Sequence, residues 1–205
     1  MHQNAPQPTS PTNPPDGGRL ALLEEVNTLW RETNNPKIGL FRMRAIYGRL
    51  AELRAELNTL ENTATVFDAA SDEVLHTLEV AAEPWQIAFT RGFAYIRGLA
   101  SPKVTMVDLA SLGKDRQPGV LGFDAGPAAP KLAGDLPLAS GIAAARDDAA
   151  VFVVNPVDNT TYFYMEGMNA PMSGYLNRGH TSRAATVGDR SLRELEPGVF
   201  GARVQ

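Results

Sequence analysis

Apolar residues along the chain keep two different periods. Between about Arg19 and Glu61 the period is helical: Met43, Ile46, Leu50, Leu53, Leu57 and Leu60 recur at alternating steps of three and four and form one stripe. Arg44, Arg49, Glu52, Arg54, Glu56 and Glu61 fall off that stripe. An earlier helix offers Leu22, Leu23, Val26, Leu29 and Trp30 for it to pack against. The two helices are expected to meet at "TNNPK", with Asn35 as N-cap and Pro36 in the first turn, because Pro lacks the N–H that would be orphaned there. The expected product is an αα-hairpin that lies on the rest of its domain or presents a heptad seam to another chain.

After Asn62 the pattern changes to short β-prone runs cut by Gly, Pro, Asn and Asp, the punctuation of an all-β fold. "TVFDAAS" from Thr65 and "TMVDLAS" from Thr105 share Thr, Asp, Ala and Ser, so 105 minus 65 gives a repeat of 40, near the length of a four-stranded propeller blade. Asp68 and Asp108 would each end a strand and bond backbone N–H groups in the next turn, a structural role rather than a catalytic one. In "EVAAEPWQIAFTRGFAYIRG", Pro84 sets a turn and "TRG" a hairpin connection; Ile87 and Phe89 are expected on the inner face of one strand, and Phe93, Tyr95 or Ile96 on that of the next.

The segment from about Ala64 to Leu112 resembles the YVTN-type β-propeller repeat, in which a Pro turn precedes an "IAF" strand, a tight hairpin and a "YV"-like strand, here "YI". "VFVVNPVDNTTYFYMEGMNAPM" and "GDRSLRELEPGVF" are similar to the carboxy-terminal blades of bacterial propellers of the haem-d nitrite reductase type. The expected fold class is α+β, a helical hairpin at 19–62 followed by a partial propeller of about three blades at 63–205. Propellers close with about four blades or more, so either the chain is a fragment or rearranged product, or its open edge is closed by oligomerisation. The resemblance implies an extracytoplasmic (periplasmic), redox-linked setting, although a propeller fold by itself assigns no activity.

Charge and composition narrow the function. The net charge of −4 and pI near 5.4, with Lys and Arg dispersed, argue against a nucleic-acid partner. Residues 1–18, "MHQNAPQPTSPTNPPDGG", read as a disordered Pro-rich tail without the basic start and apolar core of a secretory signal. No run approaches the ~18 apolar residues of a membrane-spanning helix. Zero cysteines exclude disulfides and thiolate ligands.

The candidate chemistry lies in "YFYMEGMNAPM". Alternation places Tyr162 and Tyr164 on one face and Thr161, Phe163 and Met165 on the other; Gly167 turns the chain, and Pro171 stiffens a loop carrying Met168 and Met172. Thioethers bind Cu(I) where no thiolate competes, so Met165, Met168 and Met172, with His180 as fourth ligand, form a candidate copper site. The competing reading is packing, since Met makes good sulfur–aromatic contacts and Tyr162, Phe163, Tyr164 and Tyr175 stand nearby. His2, His76 and His180 make no zinc set, and although His76 and His180 are formal axial ligands, haem could bind only non-covalently without cysteines. Glu194 and Glu196, with Arg190 and Arg193, read as a solvated edge. The Ala-, Pro- and Gly-rich loop Asp124 to Gly141 is expected to cover a propeller face. No nucleophile, base and orienting group can be assembled. The expected role is non-enzymatic binding or scaffolding with a protein partner or a second copy; the alternatives are copper handling and assembly through the helical seam.

Overall fold

A computed structural model describes residues 16–71, 73–113, 116–134, 139–146, 149–176, 179–188 and 193–201. The expected disordered tail lies almost wholly outside them, as does Arg190. The chain divides into two compact units, Met1–Ala64 and Thr65–Gln205, and the fold class is α+β.

The first unit is a helical hairpin of α1 (Asp16–Thr33) and α2 (Leu40–Glu61). The expected stripe is real: Ile46, Leu50 and Leu53 are buried, and Met43, Leu57 and Leu60 are half-buried. Bidentate pairs set the helices' register along their rims, Arg42 to Glu32 at 2.6 and 2.8 Å and Arg49 to Glu25 at 2.8 and 3.3 Å. Asn35 does not cap α2. Its Oδ1 accepts from the Lys37 N–H at 3.0 Å, closing a turn, and the helix begins only after Gly39. A turn residue with a capping side chain satisfies whichever N–H lies two residues on, and here that N–H belongs to the connection. At the other end, Asn62 takes the left-handed conformation, φ 56°, and its N–H bonds the Asn58 carbonyl.

The second unit is built from antiparallel sheets. Two have four strands each: β3 (Pro84–Phe89), β4 (Phe93–Gly98), β5 (Lys103–Asp108) and β6 (Val120–Asp124) in sequential order, then β7 (Ile142–Ala144), β8 (Ala150–Asn155), β9 (Thr160–Met165) and β10 (Met172–Leu176) likewise. Two-stranded hairpins stand before and after them in sequence, β1 (Thr63–Phe67) with β2 (Val74–Glu79) and β11 (Arg193–Glu196) with β12 (Val199–Gly201). Among the described residues the strands thus make two four-stranded blades and two hairpins, and the architecture is partial and propeller-like.

The repeat of 40 sets β1, the first strand of a hairpin, in register along the chain with β5, the third strand of a four-stranded sheet. Asp68 N–H bonds Glu73 O, and Asp108 N–H bonds Gly119 O, both at 2.9 Å. Asp68 Oδ1 accepts from the N–H groups of Ala70 and Ser71, and Asp108 Oδ1 from that of Ala110, as expected for turn aspartates. Thr90-Arg91-Gly92 is the hairpin between β3 and β4.

The two blades are joined through their facing sides. Tyr95, Val104, Met106 and Phe123 from the first meet Ile142, Val151, Val153 and Tyr164 from the second. The first strands β3 and β7 are neighbours, and the Gln86 side chain ties them by accepting from Gly141 N–H and donating to Ala139 O, both at 2.6 Å. Ile87 and Phe89 are not on this inner face. Their partners are Ile96 and Ala94, whereas Tyr95 pairs with Ala88, so strand alternation sends both to the opposite side, where they are 53% and 57% exposed.

Two glycines test how tightly the backbone is packed. A Cβ at Gly98 would lie 2.3 Å from the Ala82 carbonyl oxygen, so Gly98→Ala is expected to lower stability by about 1–3 kcal/mol, as overpacking does. Gly48 in α2 has open space around its Cβ position, so Gly48→Ala is expected to raise stability by roughly 0.5–1 kcal/mol. Urea unfolding of both variants checks the contrast; equal effects would contradict the packing at Gly98.

Candidate functional site

The seam between the blades ends in a polar cluster. Phe123 and Tyr164 stack at 4.0 Å with their planes 7° apart, and Tyr95 meets both edge-on, with ring centroids 6.5 Å from each. Such aromatic pairs contribute about 0.5–1.5 kcal/mol beyond their buried area. The phenols must also find partners. Tyr164 Oη donates to Met168 O at 2.9 Å, and Tyr95 Oη donates to Glu166 Oε1 at 3.2 Å. Thr90 Oγ1 donates to the same carboxylate oxygen at 2.5 Å while accepting the Phe93 N–H. The β3–β4 hairpin of one blade is thereby bound to the β9–β10 turn of the other.

Electrostatics favour this cluster as a fixed joint. Burial, then the charge and hydrogen bond of Glu166, hold the Tyr95 phenol well above the ordinary tyrosine range; burial, then Glu166, raise Tyr164 as well. Both therefore keep their protons at neutral pH and donate them in these bonds.

The methionines divide between two faces. Met168 packs on the buried seam, and its own carbonyl receives Tyr164 Oη. Met165 and Met172 are 44% and 55% exposed on the other side of the second blade. Met172 pairs with Phe163, two residues before Met165, so the two thioethers are diagonal neighbours on one surface. Gly167, at φ 89°, makes the turn that separates them from Met168. Phe152 and Phe163 share the outer surface, with ring centroids 5.2 Å apart. His180 is exposed, in the segment after β10. His76 is half-buried, with Nε2 3.3 Å from Gly113 O. Among the described residues, no three His, Cys, Asp or Glu side chains gather as a metal set. Glu194 and Glu196 lie in β11.

The two blades thus carry apolar outer faces: Ile87 and Phe89 on the first, Phe152, Phe163, Met165 and Met172 on the second. Sequence reasoning missed Glu166, which follows Met165 unremarked, and also Arg97. The signal for Arg97 was present: Phe93, Tyr95 and Arg97 share one side of β4, so alternation already placed a charge on the buried side. The long loop expected to cover a face is the crossover from β6 to β7. Asn155 Nδ2 holds it by donating to Ala125 O and Ala128 O at 2.8 and 2.9 Å.

No family model matches the chain, and no curated protein does. Among solved structures it is similar to hydrazine synthase from Kuenenia stuttgartiensis, with a TM-score of 0.47 and 19% identity over 62% of this chain. The chain spans about a third of the length of that structure's chain, 33%. Among the described residues, no helix is long and apolar enough to cross a membrane.

Tyr162, on the seam side of β9, donates its phenol proton to Asp158, and burial followed by this bond pushes it up to about 12. A phenol raised above its unfolded value near 10 stabilises the fold fully below pH ~10 and loses that contribution as pH rises through ~12. Denaturant midpoints measured from pH 9 to 12 are expected to fall, and to fall less steeply in Tyr162→Phe; parallel curves would contradict the raised phenol.

Proposed function

We propose that the chain is a non-enzymatic binding or scaffolding protein whose outer blade faces are completed by protein, either a partner or a second copy. The supporting observation is the exposure of Ile87, Phe89, Met165 and Met172 where one propeller blade would pack on the next. Exposed apolar side chains clustered on a sheet face mark interaction surfaces, and covering them returns about 25 cal/mol per Å² of apolar area. The helical unit adds Leu40 and Phe41, the latter 91% exposed, at the start of α2. Leu20 and Tyr47 are exposed on the same unit, so assembly through the helices draws on residues such as these. Leu50 and Leu53 are interior, and changing them to Lys would report folding rather than association. The YVTN-type reading fits the "IAF" and "YI" strands β3 and β4 and their hairpin.

Sedimentation equilibrium tests the proposal. The wild-type chain is expected to show a mass above 22.1 kDa, alone or with its partner, and Ile87→Lys with Phe89→Lys is expected to return it to the monomer while keeping its circular dichroism. A mass that ignores these substitutions, and Lys at Met165 and Met172 as well, would sink the blade-face reading.

Copper handling is the second reading, favoured by the exposed, diagonally placed Met165 and Met172. An anaerobic Cu(I) competition titration is expected to show stoichiometric binding that disappears when Met165, Met168 and Met172 become Leu, at a stability cost under about 1.5 kcal/mol per residue. Equal binding by both proteins would leave these methionines as blade-face packing.

A further inference from the structure

Arg97 is the largest fully buried side chain of the described residues, 1% exposed, and it stands in the middle of the unit rather than at its surface. Its Nη2 donates to the Val154 carbonyl, and its Nη1 has no hydrogen-bond partner among the described residues. No carboxylate among them makes an ion pair with it; Asp158 is the charge that it feels, and that carboxylate already accepts from Tyr162 Oη and Thr160 N–H. Burial pushes the guanidinium down to about 10, against the opposing pull of Asp158, so it is still fully charged at neutral pH. A buried cation with one guanidinium nitrogen unpartnered and no ion pair among the described residues is among the least favourable placements a protein can make.

Beside it is a pocket lined by Arg97, Trp85, Pro130, Gly141, Val154 and Arg183, with a cavity volume of about 10 Å³. That is room for about one water-sized body. Ser182, next to Arg183 in sequence, has the other buried side-chain oxygen without a partner among the described residues. The backbone of Gly141 is already occupied, its N–H by Gln86 and its carbonyl by Val154 N–H, so the guanidinium supplies the free donor.

We propose that this pocket is a small-anion site that takes a single halide ion between Arg97 and Arg183, the exposed Arg183 side chain giving way to admit an ion somewhat larger than water. A water molecule would satisfy Nη1 but add no charge, whereas a monatomic anion satisfies Nη1 and adds to the partial balance that Asp158 gives. A phosphate or a whole carboxylate group is too large for the space. The apolar walls, Trp85, Pro130 and Val154, suit a weakly hydrated ion, and the absence of a side chain at Gly141 keeps the space open: a Cβ there would stand 3.4 Å from Arg97 Nε and 3.6 Å from the Trp85 ring.

Trp85 is a reporter in place. In the full chain carrying Trp30→Phe it is the only indole, because the chain has two tryptophans. Sodium bromide titrated against sodium gluconate at constant ionic strength is expected to quench Trp85 saturably, with chloride competing. The melting temperature is expected to rise with halide as ligand linkage requires. Arg183→Ser, at an exposed position, should weaken the apparent affinity by no more than about fivefold. Arg97→Met should abolish the saturable response. Gly141→Ala, which fills the space and keeps the charge, should do the same, so a folding defect in one variant does not decide the result. Quenching linear in bromide with no difference between chloride and gluconate would mean that the pocket holds water only and would overturn the proposal; so would a halide response that survives both Arg97→Met and Gly141→Ala.

Discussion

The β unit depends on one contact, the face-to-face packing of two four-stranded sheets through Tyr95, Phe123 and Tyr164. A sheet made only of sequential hairpins has no long-range pairing to fix it, and each of these blades is such a meander. Its place in the molecule comes from what its faces bury. The rings bring area and geometry, and their hydroxyls impose a second condition, because a buried phenol without a partner would forfeit much of that gain. Glu166 and the Met168 carbonyl meet the condition from the turn after β9. Packing and polar satisfaction therefore specify the same arrangement of the two blades.

A blade has two faces, and the seam uses only one face of each. What remains is the constraint behind the functional reading: the outer faces carry Ile87 and Phe89 on one side and Phe152, Phe163, Met165 and Met172 on the other. The first outer face is partly covered. Ala81 N–H bonds Thr105 Oγ1 at 2.9 Å, and Ala94, Ile96 and Val107 on that side are buried, leaving the exposure to Ile87, Phe89 and Val120 on the edge strands β3 and β6. Exposure at the edges of an otherwise buried face is what a surface half-occupied by its own chain would show, and it separates this case from scattered surface leucines.

Much of this was legible in the sequence where one period or one turn residue decided the outcome. The heptad-like stripe named the buried positions of α2, and the aspartates of the two copies, "DAAS" and "DLAS", closed the turns predicted for them. The repeat became unreadable beyond that point because the crossover lengthens. From the start of β1 to that of β5 is 103 minus 63, or 40, but from β5 to β9 is 160 minus 103, or 57. Insertions in that loop shift the phase without changing the blade. Side assignment failed at Ile87 and Phe89 for a different reason. Alternation defines two sides of a strand but not which is inner, and on β3 the side carrying Ile87 and Phe89 faces away from the seam, whereas on β7 Ile142 and Ala144 face it.

The methionines, too, are governed by that ambiguity of sides. Three within eight residues look like one cluster when read along the chain, yet a strand end, a glycine at φ 89° and a strand start fold them onto two faces of one sheet. Met168 answers to the seam, where its side chain packs against the core and its own carbonyl accepts from Tyr164 Oη; Met165 and Met172 answer to whatever covers the outer face. Flexible thioethers suit a surface that must fit a neighbour's side chains, and the same softness suits a Cu(I) ion. The two roles make opposite demands on the third residue. Packing leaves Met168 where it is, while a three-sulfur site requires it to leave the seam and give up its contacts with Tyr164. That local rearrangement is the physical price of the copper reading, and blade packing needs none of it.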